Sequence, residues 1–267
     1  MLNRIDKELL KRKFVPSRSK AQELIKEGFV KCNGEILTKP NYLVAEEDVL
    51  EIVSNDKLKY VSRGGLKLEK AIKDFNIDFK DVRVMDIGSS TGGFCDCALQ
   101  HGAKSIIAID VGTDLLHKSL RNNKCIELYE KTNFKNLNSH FFQDIDIITC
   151  DVSFISLKQI LKKVADEGIQ VDAICLIKPQ FECGKDIATK YKGVILNKEI
   201  HLNIVEDLLT YFNTLGFYMK NMTVSPIKGG DGNIEYLVYL TNKIGKNNQI
   251  NIDKIVEEAF SKSRLCS

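Results

Sequence analysis

The strongest indication of fold is a short apolar run that ends in a glycine-rich loop, VMDIGSSTGGFCD over residues 84–96. Other apolar runs follow it, including SIIAIDVG, DIDIITCDVS and VDAICLIKP, and segments with helical spacing separate them. Strands that alternate with helices are typical of a parallel sheet flanked by helices. Because such sheets bind ligands beyond the carboxyl ends of their strands, we expect a site at this loop.

The spacing of the glycines favours one class of ligand. Gly88, Gly92 and Gly93 form G-x-x-x-G-G, whereas a dinucleotide site favours G-x-G-x-x-G. Asp86 stands just before the first glycine, and its carboxylate would repel a pyrophosphate but suits a cation such as S-adenosylmethionine. Asp110 ends the next apolar run, where an acid can bind ribose hydroxyls of either cofactor. S-adenosylmethionine is therefore favoured over a nicotinamide dinucleotide, with a plain strand-to-helix turn as the remaining alternative.

The front of the chain carries a basic excess. Residues 1–67 hold 14 Lys and Arg against 10 Asp and Glu, although the whole chain has a net charge of only +3. Helical spacing in RIDKELLKR and PSRSKAQELIKEG, the Asn33-Gly34 turn and the alternation in DVLEIV predict two short helices followed by a few strands. A basic face of this kind suits a polyanion, and a solvated charged face is the alternative.

This front segment resembles the RNA-binding domain of the ribosomal-protein-S-four type, through the ordered run PSRS-x-A-x-x-x-I-x-x-G-x-V-x-x-N-G. The resemblance implies recognition of folded RNA by its shape and backbone. Basic side chains are the natural contacts to phosphates. The candidates are Arg4, Lys11, Arg12, Arg18, Lys20 and Arg63.

Four charged residues stand where a doubly wound sheet would bring them together. Lys67 lies in VSRGGLKL, Asp151 and Lys178 each end an apolar run, and Glu235 begins one. Each of them alone is also compatible with a solvated strand end. Together with DIGSSTGGF, the segments SRGGLKL, DVSFISL, IKPQFECGK and GNIEYLVYL resemble the TlyA family and, more broadly, the FtsJ-like RNA ribose methyltransferases.

The resemblance implies an α/β, Rossmann-like class I methyltransferase fold, with a mostly parallel seven-stranded sheet flanked by helices behind a small α+β RNA-binding domain. It also implies S-adenosylmethionine as cofactor, cytidine 2′-hydroxyls of ribosomal RNA or ribosomal subunits as substrate, and a Lys-Asp-Lys-Glu tetrad. The tetrad positions are Lys67, Asp151, Lys178 and Glu235. The expected cofactor contacts are Asp86, Gly88, Ser89, Thr91, Gly92, Gly93, Phe94 and Asp110, with Asn133 either near the adenine or capping a helix.

The residue types of the tetrad suit methyl transfer to an alcohol, which must lose its proton as the new bond forms. A neutral lysine can accept that proton if burial or a second ammonium group lowers its pKa. The hypothesis is that Lys178 is the base, that Lys67 and Asp151 tune and place it, and that Glu235 positions the sugar.

The sequence thus predicts an RNA-binding domain over residues 1–60, a linker over 61–67, a methyltransferase domain over 68–242 and a tail over 243–267, either loose or closed by a short helix. The longest apolar stretch is well short of the roughly 20 residues that cross a bilayer, so we expect a cytoplasmic protein. Eight cysteines without CxxC pairs predict no metal site. Two alternatives remain: a ribosome-associated RNA-binding assembly factor without catalysis, and a haemolysin-like membrane-active protein, a label attached to the family.

Overall fold

The structure, a computed structural model, describes residues 2–15, 18–26, 28–53, 59–229, 231–243 and 245–264 of the 267-residue chain. The chain divides into two compact units, Met1–Arg63 and Gly64–Ser267. A helix over Gly64–Phe75 opens the second unit and begins inside the predicted linker over 61–67. Lys67 therefore lies in a helix and not in a linker. The apolar side chains that follow it, Leu68 and Ala71, are buried and hold this helix against the core.

The first unit is a small α+β fold. Its elements are β1 (Asn3–Arg4), α1 (Ile5–Lys11), α2 (Arg18–Lys26), β2 (Val30–Cys32), β3 (Glu35–Leu37), β4 (Leu43–Val44) and β5 (Leu50–Ile52). Strand β2 pairs antiparallel with both β3 and β5, and the helices cover a core that includes the fully buried Ile5, Leu9 and Ile25. The predicted hairpin turn at Asn33 and Gly34 is confirmed, and both residues adopt the positive φ that such a turn requires.

The second unit is built on a large sheet. Its elements are α3 (Gly64–Phe75), β6 (Arg83–Ile87), α4 (Gly93–Gln100), β7 (Ser105–Ile109), α5 (Lys118–Arg121), β8 (Ile126–Tyr129), β9 (Ile147–Cys150), α6 (Leu157–Asp166), β10 (Asp172–Ile177), α7 (Pro179–Glu182), α8 (Gly184–Lys190), α9 (Lys198–Thr214), β11 (Tyr218–Val224), β12 (Tyr236–Thr241) and α10 (Ile252–Arg264). Single 3-10 turns cover Phe134–Asn136 and Ser139–Phe142.

Within the described residues, seven strands form this sheet in the order β11-β12-β10-β9-β6-β7-β8. All neighbouring pairs are parallel except those of β12, which runs antiparallel to β10 and β11. The central strands are buried almost throughout, as continuous apolar runs in a parallel sheet should be. The predicted fold class is confirmed.

The order of the strands determines where a site can form. The chain builds outward from β6 to β7 and β8 on one side, then returns to β9 and β10 on the other, so the switch point lies between the carboxyl ends of β6 and β9. Because β12 is antiparallel and Tyr236 pairs with Ile177, the start of β12 lies at the same edge as the end of β10. This places Glu235 beside the residues that follow β9 and β10.

The segment after β12 contains a helix that packs on the core. Helix α10 packs on α9 and β11, and its residues Val256 and Ala259 are buried in the main hydrophobic cluster. Among the described residues, no helix combines the length and apolar character that a membrane span requires. The same part of the chain contains no group of three His, Cys, Asp or Glu side chains arranged to bind a metal.

Candidate active site

The four predicted tetrad residues meet at the carboxyl edge of the sheet. Lys67 Nζ, from α3, lies 3.2 Å from Asp151 Oδ2 and 3.0 Å from Glu235 Oε2. Lys178 Nζ, at the end of β10, lies 2.6 Å from Asp151 Oδ1. Asp151 thus joins the two lysines through its two carboxylate oxygens. The exposed fractions of Lys67, Lys178 and Glu235 are 8%, 8% and 2%, so the cluster is largely withdrawn from water.

Burial and neighbouring charges shift the pKa values of this cluster in opposite directions. At Lys67, burial favours the neutral amine, but attraction to Asp151 and Glu235 outweighs it and raises the pKa. At Asp151, burial favours the protonated acid, but attraction to Lys67 and Lys178 outweighs it and lowers the pKa to about 2. Two carboxylates contact the amine of Lys67, and their attraction keeps it protonated despite its burial. Lys67 is therefore suited to orient the carboxylates of Asp151 and Glu235.

Two neutral residues that the sequence analysis missed also contact the tetrad. Lys178 Nζ donates to Ser153 Oγ at 3.1 Å, and Gln180 Nε2 donates to Glu235 Oε1 at 3.2 Å. Both lie in segments already singled out, DVSFISL and IKPQFECGK. A neutral polar residue near a charged one gives no signal in a single sequence, so only the contacts identify them.

An exposed aromatic side chain lies in the loop that follows Asp151. Phe154, three residues after Asp151, is 90% exposed and has a φ of 66°. Its ring centroid lies 4.8 Å from that of Phe181, in α7. A bulky residue in the left-handed region is uncommon and indicates a loop that its surroundings hold in place.

The glycine loop after β6 depends on two glycines with positive φ. A Cβ on Gly88, whose φ is +81°, would lie 3.1 Å from the carbonyl oxygen of Asp151. A Cβ on Gly92, whose φ is +95°, would lie 2.5 Å from Leu120 Cδ1. Gly88 therefore allows the end of β6 to approach the end of β9, and Gly92 allows the chain to enter α4 at Gly93.

The predicted cofactor contacts in this loop have different environments. Ser89 is 5% exposed, and its Oγ is buried without a hydrogen-bond partner among the described residues. A buried polar atom of this kind is rare and fits a group that a ligand would supply. The Thr91 carbonyl accepts from the His117 amide at 3.1 Å, which fixes the loop backbone. Phe94 is 4% exposed, so its ring packs in the interior.

Asp86 supports the loop from inside. Its carboxylate is 1% exposed and accepts hydrogen bonds from Thr149 Oγ1 at 2.7 Å and from Cys95 Sγ at 3.0 Å. Burial raises the pKa of Asp86 to about 6, so the group is largely ionised at neutral pH. A buried negative charge under the glycine loop favours a cationic ligand.

Asp110 connects the loop to the end of β7. Its Oδ2 accepts from the Ser90 amide at 2.8 Å, and its Oδ1 accepts from the Gly112 amide at 2.7 Å. The neighbouring Val111 is 72% exposed and offers an apolar surface that the sequence analysis did not identify. Asn133 is exposed, and its Oδ1 caps the turn at Phe134–Asn136, so the capping alternative is present.

Three basic residues of the first unit are partly open to solvent. Arg4 and Arg18 both pair with the buried Asp6, each at 2.9 Å, while 38% and 46% of their side chains remain exposed. Lys11 is 60% exposed and pairs with Glu8 at 3.4 Å. The carboxylate of Asp6 thus holds two guanidinium groups near the surface.

The other basic candidates have different surroundings. Arg12 donates to the carbonyl oxygens of Asp48 at 2.7 Å and Ala45 at 2.9 Å, which ties α1 to the loop before β5. Arg63 packs across Gly28, where an added Cβ would lie 2.3 Å from Arg63 Nε. Lys20 lies in α2, and its side chain is outside the described part of the chain.

Comparison with known proteins identifies two families within the chain. Residues 60–242 match the FtsJ-like methyltransferase family, and residues 3–50 match the S4 domain. The chain is 41% identical over 240 residues to a Bacillus subtilis protein provisionally named rRNA methyltransferase YqxC, with 89% of this chain and 85% of that protein covered. It is 39% identical over 243 residues to the 23S rRNA (cytidine-2′-O)-methyltransferase TlyA of Campylobacter jejuni subsp. jejuni, with 84% and 93% covered. A solved structure from Streptococcus thermophilus, provisionally named a hemolysin, superposes with a TM-score of 0.75 at 34% identity, covering 100% of this chain and 99% of that one.

Proposed function

The chain belongs to the FtsJ-like methyltransferase family, and on that premise we propose that it transfers the methyl group of S-adenosylmethionine to the ribose 2′-hydroxyl of a cytidine in structured ribosomal RNA. The observation that carries the proposal is the tetrad, in which two lysines and two carboxylates from four separate segments contact one another at the carboxyl edge of the sheet. A protein that only bound RNA would have no use for this buried cluster.

The loop after β6 fits the proposed cofactor, which supplies an electrophilic methyl group on a sulfonium. The ionised Asp86 favours a cation, and the buried Ser89 Oγ provides a hydrogen-bonding atom that the protein leaves unused among its described residues. Asp110 and the exposed Val111 would bind the ribose and the adenine. The residues proposed to hold the cofactor are Asp86, Gly88, Ser89, Thr91, Gly92, Gly93, Phe94, Asp110 and Asn133.

We propose different roles for the two lysines, and their different contacts support this. Lys67 is held by two carboxylates that raise its pKa, so it keeps its proton and orients Asp151 and Glu235. Lys178 contacts one carboxylate, and in its neutral form it accepts the proton of the 2′-hydroxyl. Glu235 accepts a hydrogen bond from the substrate sugar. Holding the hydroxyl in line with the methyl group contributes on the order of 7 to 11 kcal/mol to lowering the barrier.

Phe154 provides a surface for the substrate base. Proteins that recognise particular nucleotides in RNA stack unpaired bases on aromatic side chains. Phe154 is 90% exposed and follows Ser153, the hydroxyl partner of Lys178. We infer that the base of the methylated nucleotide stacks on this ring while its ribose lies at the tetrad.

The first unit would bind the RNA backbone. Arg4, Lys11 and Arg18 are the best-placed candidates for phosphate contacts because their side chains are partly exposed, and Lys20 and Arg63 remain candidates. Arg12 is already bonded to backbone carbonyls, which makes it a weaker candidate. A protein with this substrate would act on ribosomal RNA or ribosomal subunits in the cytoplasm.

The test is methyl transfer from tritiated S-adenosylmethionine to separated, unmethylated ribosomal subunits, followed by mapping of the new ribose methyl group. Lys178→Ala should keep the fold and the cofactor affinity but lose turnover by a factor on the order of 100 to 10,000, as expected for loss of a general base. Lys185→Ala, at an exposed site in α8, is the matched control and should behave as wild type. Binding of RNA without transfer of the tritiated methyl group would support an assembly factor. Unchanged turnover in Lys178→Ala would show that this lysine is not the base.

A further inference from the structure

We propose that Glu182 is a positioning residue, which fixes the loop over residues 151–156 against α7 and so holds Phe154 in place for the RNA substrate. The inference rests on the proposed function, because it concerns how that site receives a nucleotide. Glu182 does not touch the tetrad, and its effect would be transmitted through the loop.

The carboxylate of Glu182 connects two helices. Its Oε2 accepts from Ser156 Oγ at 2.6 Å, and its Oε1 accepts from the Leu157 amide at 2.8 Å. Ser156 is the N-cap of α6, and its Oγ also accepts from the Lys158 amide at 3.1 Å. One side chain at the end of α7 therefore fixes the first turn of α6 and the last residue of the loop, in a position where a negative charge also favours the helix dipole.

Contacts at three places along the loop over residues 151–156 join it to the segment over residues 178–182. At the near end, Lys178 pairs with Asp151 at 2.6 Å and donates to Ser153 at 3.1 Å. In the middle, the Phe154 and Phe181 rings lie 4.8 Å apart. At the far end stands the bond from Ser156 to Glu182. Phe154 thus sits between two fixed ends.

The conformation of Phe154 explains why both ends matter. Its φ of 66° lies in the left-handed region, where the Cβ of an L-residue comes too close to the following carbonyl oxygen. A loop holds such a conformation only while its surroundings enforce it. When the Glu182 contact is removed, residues 152–156 can relax toward ordinary backbone conformations, and the ring of Phe154 loses its fixed place beside Phe181.

The experiment compares wild type with Glu182→Ala, Phe154→Ala and the double variant. Glu182→Ala should raise KM for RNA by on the order of tenfold, as expected for partial loss of one base-stacking contact, with cofactor affinity within about twofold of wild type. In the Phe154→Ala background the same substitution should change KM by less than about twofold, because its effect acts through Phe154. Glu182→Gln retains an acceptor for the Leu157 amide and a group that can bond Ser156, so it should restore most of the wild-type KM.

Two further variants separate positioning from general loss of stability. Asp207→Ala removes an exposed partner of Lys158 on α6 and should leave KM for RNA unchanged. Ser156→Gly removes the hydroxyl that Glu182 binds and should raise KM as Glu182→Ala does, which keeps the proposal testable if the alanine variant does not fold. The proposal is overturned if KM for RNA is unaffected in both Glu182→Ala and Ser156→Gly. It is also overturned if the fold-changes in KM caused by Glu182→Ala and Phe154→Ala multiply in the double variant.

A readout independent of activity distinguishes this inference from the proposed function. Hydrogen exchange at the amides of residues 152–156 should be faster in Ser156→Gly and Glu182→Ala than in wild type, while exchange in β9 stays unchanged. If the wild-type protein transfers no methyl group to RNA but shows this difference, the proposed function fails and the positioning role stands. Equal exchange in all three proteins contradicts the positioning role.

Discussion

The negative charge of Asp151 should stabilise the second unit as well as organise its site. Its carboxylate lies 2.6 Å from Lys178 Nζ and 3.2 Å from Lys67 Nζ, and both lysines are 8% exposed. Asp151→Asn would leave both ammonium groups in place with one negative charge fewer beside them. We therefore expect a loss of folding stability and a loss of methyl transfer from the same substitution.

The magnitude follows from the pKa. Attraction to Lys67 and Lys178 more than offsets burial and lowers the pKa of Asp151 from 3.8 to about 2. Since a tenfold change in proton affinity corresponds to about 1.4 kcal/mol, the ionised carboxylate contributes roughly 2 kcal/mol. The pKa is lower in the folded state than in the unfolded state, so this contribution is complete above about pH 4 and is lost as the pH falls toward 2.

Urea unfolding followed by far-ultraviolet circular dichroism, at pH 7 and at a series of values between 5 and 2.5, measures this contribution. Asp151→Asn should lower the free energy of unfolding by roughly 2 kcal/mol at pH 7, with a difference from wild type that shrinks as the solution becomes acidic. The matched control is Asp166→Asn, which breaks an exposed pair with Lys162 and should change stability by less than about 0.5 kcal/mol. A constant difference between Asp151→Asn and wild type across the acid range would refute the reasoning.

Two further predictions test the cofactor loop and the first unit. Ser89→Ala should leave stability unchanged, since its hydroxyl has no partner among the described residues, but should weaken S-adenosylmethionine binding about fivefold by calorimetry; equal affinity would exclude the hydroxyl as a contact. Arg18→Ala should weaken RNA binding and reduce the slope of log affinity against log salt by about 1 in a filter-binding assay. Arg12→Ala should instead destabilise the first unit, because its guanidinium bonds the carbonyls of Ala45 and Asp48; the same change of salt slope in both variants would contradict this distinction.

The sequence alone determined the architecture of both units. Buried parallel strands such as β6 and β10 are continuous apolar runs, and the hairpin between β2 and β3 follows from the Asn33-Gly34 turn. These features depend on residues that are close together in the chain, so their patterns can be read without coordinates. The resemblance of short segments to a family also predicted the positions of the four tetrad residues.

The pairing of those residues was decided by the tertiary structure. Lys67 and Glu235 are 168 residues apart in the chain, and only the antiparallel placement of β12 brings them to 3.0 Å. The contacts also changed the interpretation of individual residues: Lys67 has a raised pKa, Asp86 faces the interior, and Arg12 bonds backbone carbonyls.

The physical reason is that charge interactions vary steeply with distance and burial, while residue type does not report either quantity. The same holds for neutral side chains, whose role depends on what lies next to them. Examples are Ser153, Phe154 and Gln180. Periodicity along the chain specifies strands, helices and turns. The register between strands and the path of each loop decide which side chains share a site.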